Sequence, residues 1–280
     1  MAPPDTMKTP ALLACALAAT WSVASAAEPF FRPDDVVALI GGEDVVTMND
    51  DPVLEATVVQ QPELERVKFR NLAKEGDTVF EQARDLNVPP LAEQLDRVGA
   101  TVVIASFGKM EALTASEADF TAACERLLDR CAAAKRRVVL LEPAGGFSAA
   151  QQALAAKRGW LWWPRGGVPE GMQAVKTPAA LANVLREKNR LWFHYWRPQN
   201  WAFLGGDRTE QPSSRDHVDR SKRWFPAEME QWLPLIEDKE RHAAALASSP
   251  RSVAEELASF RVAEGFEVSL FASETDGVAN

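Results

Sequence analysis

The chain has 280 residues, 46% of them hydrophobic and 25% charged, and a formal net charge of −9. That length holds one large domain, or one domain and a smaller piece, with enough apolar sequence for a core that needs no disulfide staples. The acidic balance excludes a general nucleic-acid binder, which needs a basic surface to displace counterions, and offers no attraction to anionic lipid.

In chain order, residues 1–26 read as a secretory signal peptide. Met7-Lys8 is a short positive start, Ala11 to Ala19 is an apolar run too short to span a bilayer, and Ala24-Ser25-Ala26 fits a small-residue cleavage site. The predicted mature chain starts at Ala27, is exported to the periplasm or the exterior, and contains no membrane span. From Asp35 strands and helices alternate. Val36–Ile40 is a predicted strand, Pro52–Leu64 a helix, Val67–Leu72 a strand, Leu91–Val98 a helix and Thr101–Phe107 a strand. Ser116–Lys135 reads as a helix with Ala, Leu and Cys on one stripe, and Arg137–Leu141 as the next strand. Ser148 is the expected cap of a helix that runs through Lys157 and ends at Gly159, and Trp160–Trp163 is a further strand. Cys124 and Cys131 lie seven residues apart on one helix face, roughly 10 Å along the axis, too far for a mutual disulfide. They read as buried free thiols.

After Lys176 the character changes. Pro178–Arg190 is a predicted helix, and Leu191–Pro226 crowds Trp, Arg and turn residues into a long arm; eight of the nine tryptophans lie between Trp160 and Trp232, which marks this stretch for packing or binding. Glu228–Leu246 is the last predicted helix. The expected organisation is a domain over residues 27–246, a linker over 247–259, and the start of a truncated second domain over 260–280. The alternating order predicts an α/β sandwich, a parallel sheet with helices on both faces, whose ligands sit outside the carboxyl ends of the strands. That places Gly41–Glu43, Ala73–Thr78 and Gly108–Glu111 on one rim.

These rim segments carry a resemblance. VVALIGGED, Val36 to Asp44, is similar to the first block of the SGNH, or GDSL-type, hydrolases, with Gly42 or Glu43 near the position of the nucleophilic serine. FRNLAKEGDTV, Phe69 to Val79, resembles the second block, with Gly76 as its glycine, and VVIASFGKMEAL resembles the third, with Gly108 in place. Met110 stands where that block has asparagine and Glu111 where it has aspartate; the Asp-x-x-His block is missing, and Asp216-His217 is its nearest substitute. The resemblance covers about Asp34 to Lys239 and implies a flavodoxin-like three-layer sandwich with a Trp-rich C-terminal arm. The phrases GDTVFEQAR and RPQNWAFLGGDRT also resemble large secreted bacterial proteins in which a propeller of the glucose/sorbosone-dehydrogenase type follows such a module. Phe260–Phe271 looks like the opening strand of that propeller, which is thus an expected C-terminal partner.

Ester hydrolysis by the SGNH route needs a hydroxyl nucleophile, a histidine and oxyanion donors. Glu43 and Asp44 cannot replace serine in that scheme, and Met110 presents no N–H; losing one such donor costs about 3 kcal/mol of transition-state stabilisation. Glu43 and Asp44 have a structural use as negative charge at a helix N-terminus. If the chain is active, its acid/base set is Glu43, Glu111, Asp216 and His217; the oxyanion and rim positions are Gly42, Gly76 and Gly108. Trp196, Arg197, Asn200 and Trp201 are candidate ligand contacts, since aromatic platforms beside polar groups suit sugars, and the same residues suit packing or a domain interface. His194, inside WFHYW, is expected to be packed and His242 to be solvated. There is no metal motif, no dinucleotide glycine fingerprint and no CxxCH, so no cofactor is expected. The favoured expectation is a noncatalytic binding or docking module of a carbohydrate-processing or redox protein, with a carbohydrate or ester ligand. Its rivals are an active esterase or glycan hydrolase with that non-standard set, and a structural N-terminal module for a quinoprotein-type dehydrogenase.

Overall fold

The structure is a computed structural model that describes residues 29–82, 89–197 and 232–248. The expected signal peptide, the segment 260–280, Asn200, Trp201, Asp216 and His217 lie outside the described residues.

Five strands form one parallel sheet: β1 (Val36–Gly41), β2 (Lys68–Asn71), β3 (Val102–Ser106), β4 (Arg137–Leu141) and β5 (Leu161–Trp163), in the order β2-β1-β3-β4-β5. Val37 is paired in register with Phe69 on one side and Val102 on the other, and Val103 with Val138. The strands are near-continuous apolar runs because both sheet faces are buried. On one face Ala38, Ile40, Val103, Ala105, Val138 and Leu140 pack beneath α3 (Leu91–Arg97), α4 (Glu117–Ala132) and α5 (Ser148–Arg158). On the other, Val37, Leu39, Ile104 and Leu141 meet Val45 of α1 (Glu43–Val46), Val58 of α2 (Val53–Val59), Phe31 and Trp163. The 2-1-3-4-5 order is the flavodoxin-like doubly wound arrangement. The fold is thus the flavodoxin-like sandwich expected of an SGNH-hydrolase-like domain.

Local chemistry sets the element ends. Ser116 caps α4 by accepting from the Asp119 N–H at 3.1 Å, and Phe120, Cys124, Leu127 and Cys131 form the buried stripe. Both cysteines are free thiols, as the spacing requires. Gly159 closes α5 in the left-handed conformation. Ser148 is the first residue of α5 rather than its cap: Phe147 precedes it at φ 71°, held by stacking on Phe120 at 4.5 Å, and the Ser148 hydroxyl donates to Glu142 instead. α2 stops at Val59, short of the expected Leu64, where Gln60 and Gln61 turn their amides back onto the Ala56 and Thr57 carbonyls, just before Pro62.

The expected helix over Pro178–Arg190 is longer: α6 runs Ala179–Trp196 and takes in the first part of the Trp-rich stretch. Trp192, Tyr195 and Trp196 recur at helical spacing and are buried; Trp192 stacks on Trp196 at 5.0 Å and donates its indole N–H to the Asn71 carbonyl at 2.9 Å. Burial of these rings outweighs their modest helix propensity. Pro198 ends the helix, because the residue before a proline is forced out of the α region. α7 (Leu233–Ser248) runs back along α6, two residues beyond the expected Leu246. Between α2, β2, α6 and α7 lies a buried ionic cluster. Lys188, wholly buried, donates to the Glu55 carboxylate at 2.7 and 2.8 Å and to the Phe69 carbonyl at 3.3 Å, while Arg70 pairs with Glu240. Burial pushes the Glu55 carboxyl up and the Lys188 ammonium down, and each opposes the shift of the other.

Candidate functional site

Because all strands run the same way, the segments that follow them share one edge. After β1 come Gly41, Gly42 and Glu43. A Cβ at Gly41 would lie 2.3 Å from the Ser106 carbonyl oxygen and 2.4 Å from Val45 Cγ2, so no side chain fits where the two strand ends meet. A Cβ on Gly42 would sit 3.0 Å from the Asp77 carbonyl, which brings the second segment against the first. Gly108 adopts φ +129°, with the Gly146 carbonyl 3.0 Å from a built Cβ. Gly76 is exposed at φ +90° with open space around it, as in a simple turn.

The carboxylates of the rim are all engaged. Glu43 stands in the first turn of α1, largely exposed, 3.3 Å from Lys109 Nζ. The Asp44 side chain is only 9% exposed; it pairs with Arg165 Nη2 at 3.2 Å and lies 3.5 Å from the Ser106 hydroxyl. Glu111 is buried and accepts from the Val79 N–H at 2.7 Å and the Gly108 N–H at 2.9 Å, tying the second segment to the third. Glu142, directly after β4, accepts the Ser148 hydroxyl at 2.6 Å and the Arg165 backbone N–H at 2.9 Å; the hydroxyl first and the N–H second hold its carboxyl below the usual range. Arg165 thus bridges Asp44 and Glu142 from the end of β5.

A cavity of about 500 Å³ opens beside Asp44 and Arg165. Met48, Leu54, Leu141, Trp163 and Val175 supply apolar wall, and Thr47, Asp51 and Thr57 add polar points. This balance, mostly apolar with a few polar anchors, is the usual make-up of a small-molecule site.

Of the expected ligand contacts, Trp196 is a core residue beneath Trp192. Arg197 is clamped to Glu75 by two bonds of 3.0 and 2.9 Å, reaches the Ala73 carbonyl at 2.9 Å and lies over the Phe193 ring at 4.8 Å. His194, expected to be packed, is exposed, with its ring 5.5 Å from that of Trp232, because it falls on the solvent side of α6 opposite the buried Trp192–Trp196 stripe. His242 is exposed as expected. Among the described residues, no group of three or more His, Cys, Asp or Glu side chains is placed to hold a metal ion. Sequence reasoning passed over Arg165 and Glu142 as site residues and left Ser106 inside a strand. The signal available was positional: Glu142 and Pro164-Arg165 come directly after predicted strands and so belong on the rim.

No family model matches the chain, and no curated protein matches it. Eleven chains of solved structures show a similar backbone course. Three of them are a gut microbial diltiazem-metabolizing enzyme (12% identity, 48% of this chain and 37% of that one, TM-score 0.32), the psychrotrophic esterase EstA from Pseudoalteromonas sp. (12%, 75% and 96%, TM-score 0.35), and TesA (19%, 57% and 99%, TM-score 0.35). The likeness thus spans little more than a third of the diltiazem-metabolizing enzyme. Among the described residues no helix is long and apolar enough to cross a membrane.

Proposed function

We propose that this chain is an exported, noncatalytic binding module built on an SGNH-hydrolase-like fold, and that its ligand, a small ester or carbohydrate derivative, enters the cavity beside Asp44 and Arg165. One observation carries the reading: each acid at the position of the family's nucleophile is matched by a cation, Glu43 by Lys109 and Asp44 by Arg165. Each of these carboxylates is thus engaged by a side chain of the protein itself. Glu111 is spent on two backbone amides, and Ser106, the hydroxyl next to Asp44, is 1% exposed and out of reach of a substrate. The apolar walls favour a ligand with an acyl or aryl part over a bare sugar.

The test is hydrolysis of a short-chain aryl ester and of an acetylated xylose oligomer by the full chain, beside its Glu43→Ala and His217→Ala variants. The expected result is no turnover above buffer by any of the three folded proteins. Turnover by the parent that both substitutions abolish overturns the proposal and makes Glu43 and His217 an acid/base pair.

A further inference from the structure

The cavity beside Asp44 and Arg165 has an exposed mouth, lined by Thr47, Asp51 and Arg165, and a buried floor, lined by Thr57, Leu141 and Trp163. Below the mouth the polar groups are spent, with one exception. Asp44 is paired with Arg165, and the Trp163 indole N–H donates to the Gly167 carbonyl at 3.0 Å. The Thr57 carbonyl accepts from the Gln61 side chain at 2.9 Å. The Thr57 hydroxyl makes no hydrogen bond among the described residues, although Thr57 is only 6% exposed. It is not sealed in, and the surface that Thr57 keeps faces the cavity. A hydroxyl this deep without a partner is costly, and a ligand that supplies one recovers that cost on binding.

Charge limits what that partner can be. Asp44 pairs with the Arg165 guanidinium at 3.2 Å, Glu142 accepts the Arg165 backbone N–H at 2.9 Å, and Asp51 lines the mouth with no ion pair among the described residues. Three carboxylates thus stand around one guanidinium, which opposes an anion. A cation finds an unpaired carboxylate only in Asp51, which is exposed, and an exposed ion pair is worth little. At the floor a lone charge of either sign is costly to bury. A hydrocarbon leaves Thr57 without a partner. An uncharged hydroxyl can both donate to it and accept from it. Met48, Leu54 and Trp163 in the wall supply the thioether, aliphatic and aromatic surface on which a flat ring packs.

We propose that the ligand of this cavity ends in an uncharged aryl alcohol group, with its hydroxyl on Thr57 Oγ1 and its ring against Met48, Leu54 and Trp163. This rests on the reading of the cavity as the ligand site, and makes Thr57 the residue that sets its preference. The test is titration of the full chain with benzyl alcohol, ethylbenzene, sodium benzoate and benzylammonium chloride, monitored by backbone amide shifts in Thr47, Thr57 and Val175. Benzyl alcohol should move these signals and bind at least about tenfold more tightly than either ion, a margin that corresponds to ~1.4 kcal/mol. Thr57→Val keeps the shape and removes the hydroxyl. The affinity of benzyl alcohol relative to ethylbenzene should then fall about tenfold, with a melting temperature no lower than that of the parent. Thr57→Ser keeps the hydroxyl and should keep the ratio. An unchanged ratio in Thr57→Val, a ratio lost equally in Thr57→Ser, a Thr57→Val protein that melts below its parent, or an ion that binds as tightly as the alcohol overturns the proposal and leaves the cavity as a ligand site. Failure of both the alcohol and ethylbenzene to move the signals overturns the proposal together with that reading of the cavity.

Discussion

The Glu111 carboxylate separates a structural rim from a catalytic one. Its two oxygens accept from the Val79 and Gly108 amides at 2.7 and 2.9 Å in a site where the residue is 3% exposed. Glu111→Gln keeps the shape but leaves one acceptor oxygen, and turns an NH2 group towards a backbone N–H. One charge-assisted bond is lost and a buried donor goes unpaired, which costs ~2–4 kcal/mol. For a domain of this size that is a fall in Tm of roughly 5–15 °C. Urea unfolding monitored by tryptophan fluorescence reads the change as a lower midpoint with an unchanged slope. Glu111→Ala, which abandons both amides, should fall further. A Glu111→Gln protein that melts with its parent refutes this account of the carboxylate. If that same protein also loses ligand binding or hydrolysis, the carboxylate faces substrate, as the hydrolase reading requires.

Buried thiols and paired carboxylates give two more expected outcomes. Burial pushes the Cys124 thiol up to about 12 and the Cys131 thiol up to about 11, so neither should react with a thiol reagent at pH 8 until the chain is unfolded in urea; modification of either at a rate independent of unfolding contradicts their place in the core. Glu75 and Glu142 titrate below the ordinary 4.5 when folded, Glu75 chiefly through Arg197 and Glu142 chiefly through Ser148, so their contribution is present above that pH and is lost as pH falls through the lower folded values. The urea midpoint should therefore fall as pH drops below the ordinary carboxylate range, and fall less in Ser148→Ala; a flat or rising midpoint is the contrary result.

The strands were legible because a parallel sheet covered on both faces is written as uninterrupted apolar runs, and RVVLL became β4 residue for residue. The rim was legible from topology alone, since the segment after each parallel strand lands on the same edge. The pairings across it were not. Arg165 and Asp44 are 121 residues apart, and Lys188 and Glu55 133 apart, with no local periodicity to join them. The Trp-rich stretch misled for a different reason: WFHYW lacks strong helix formers, yet Trp192, Tyr195 and Trp196 fall on one helical face and their burial decides the conformation. His194 was misplaced by the same error, because only a helix puts it on the side away from Trp192 and Trp196.

The rim residues that resemble hydrolase blocks have structural duties of their own. Gly41 is required because the Ser106 carbonyl and Val45 occupy the space of any side chain, and Gly108 because its backbone turns through φ +129° against the Gly146 carbonyl. Glu111 is required because two strand-end segments hang their amides on it. None of these demands involves a substrate. Each arises from closing three parallel strand ends tightly enough that their loops touch, and each would hold in a protein that had never broken a bond. A glycine-rich turn after β1 and Gly-x-x-acid after β3 are therefore evidence for this way of closing the sheet edge. Catalysis has to be argued from the groups that closure leaves available. Here closure leaves Glu43 against Lys109, and Asp44 against Arg165 at the edge of a cavity.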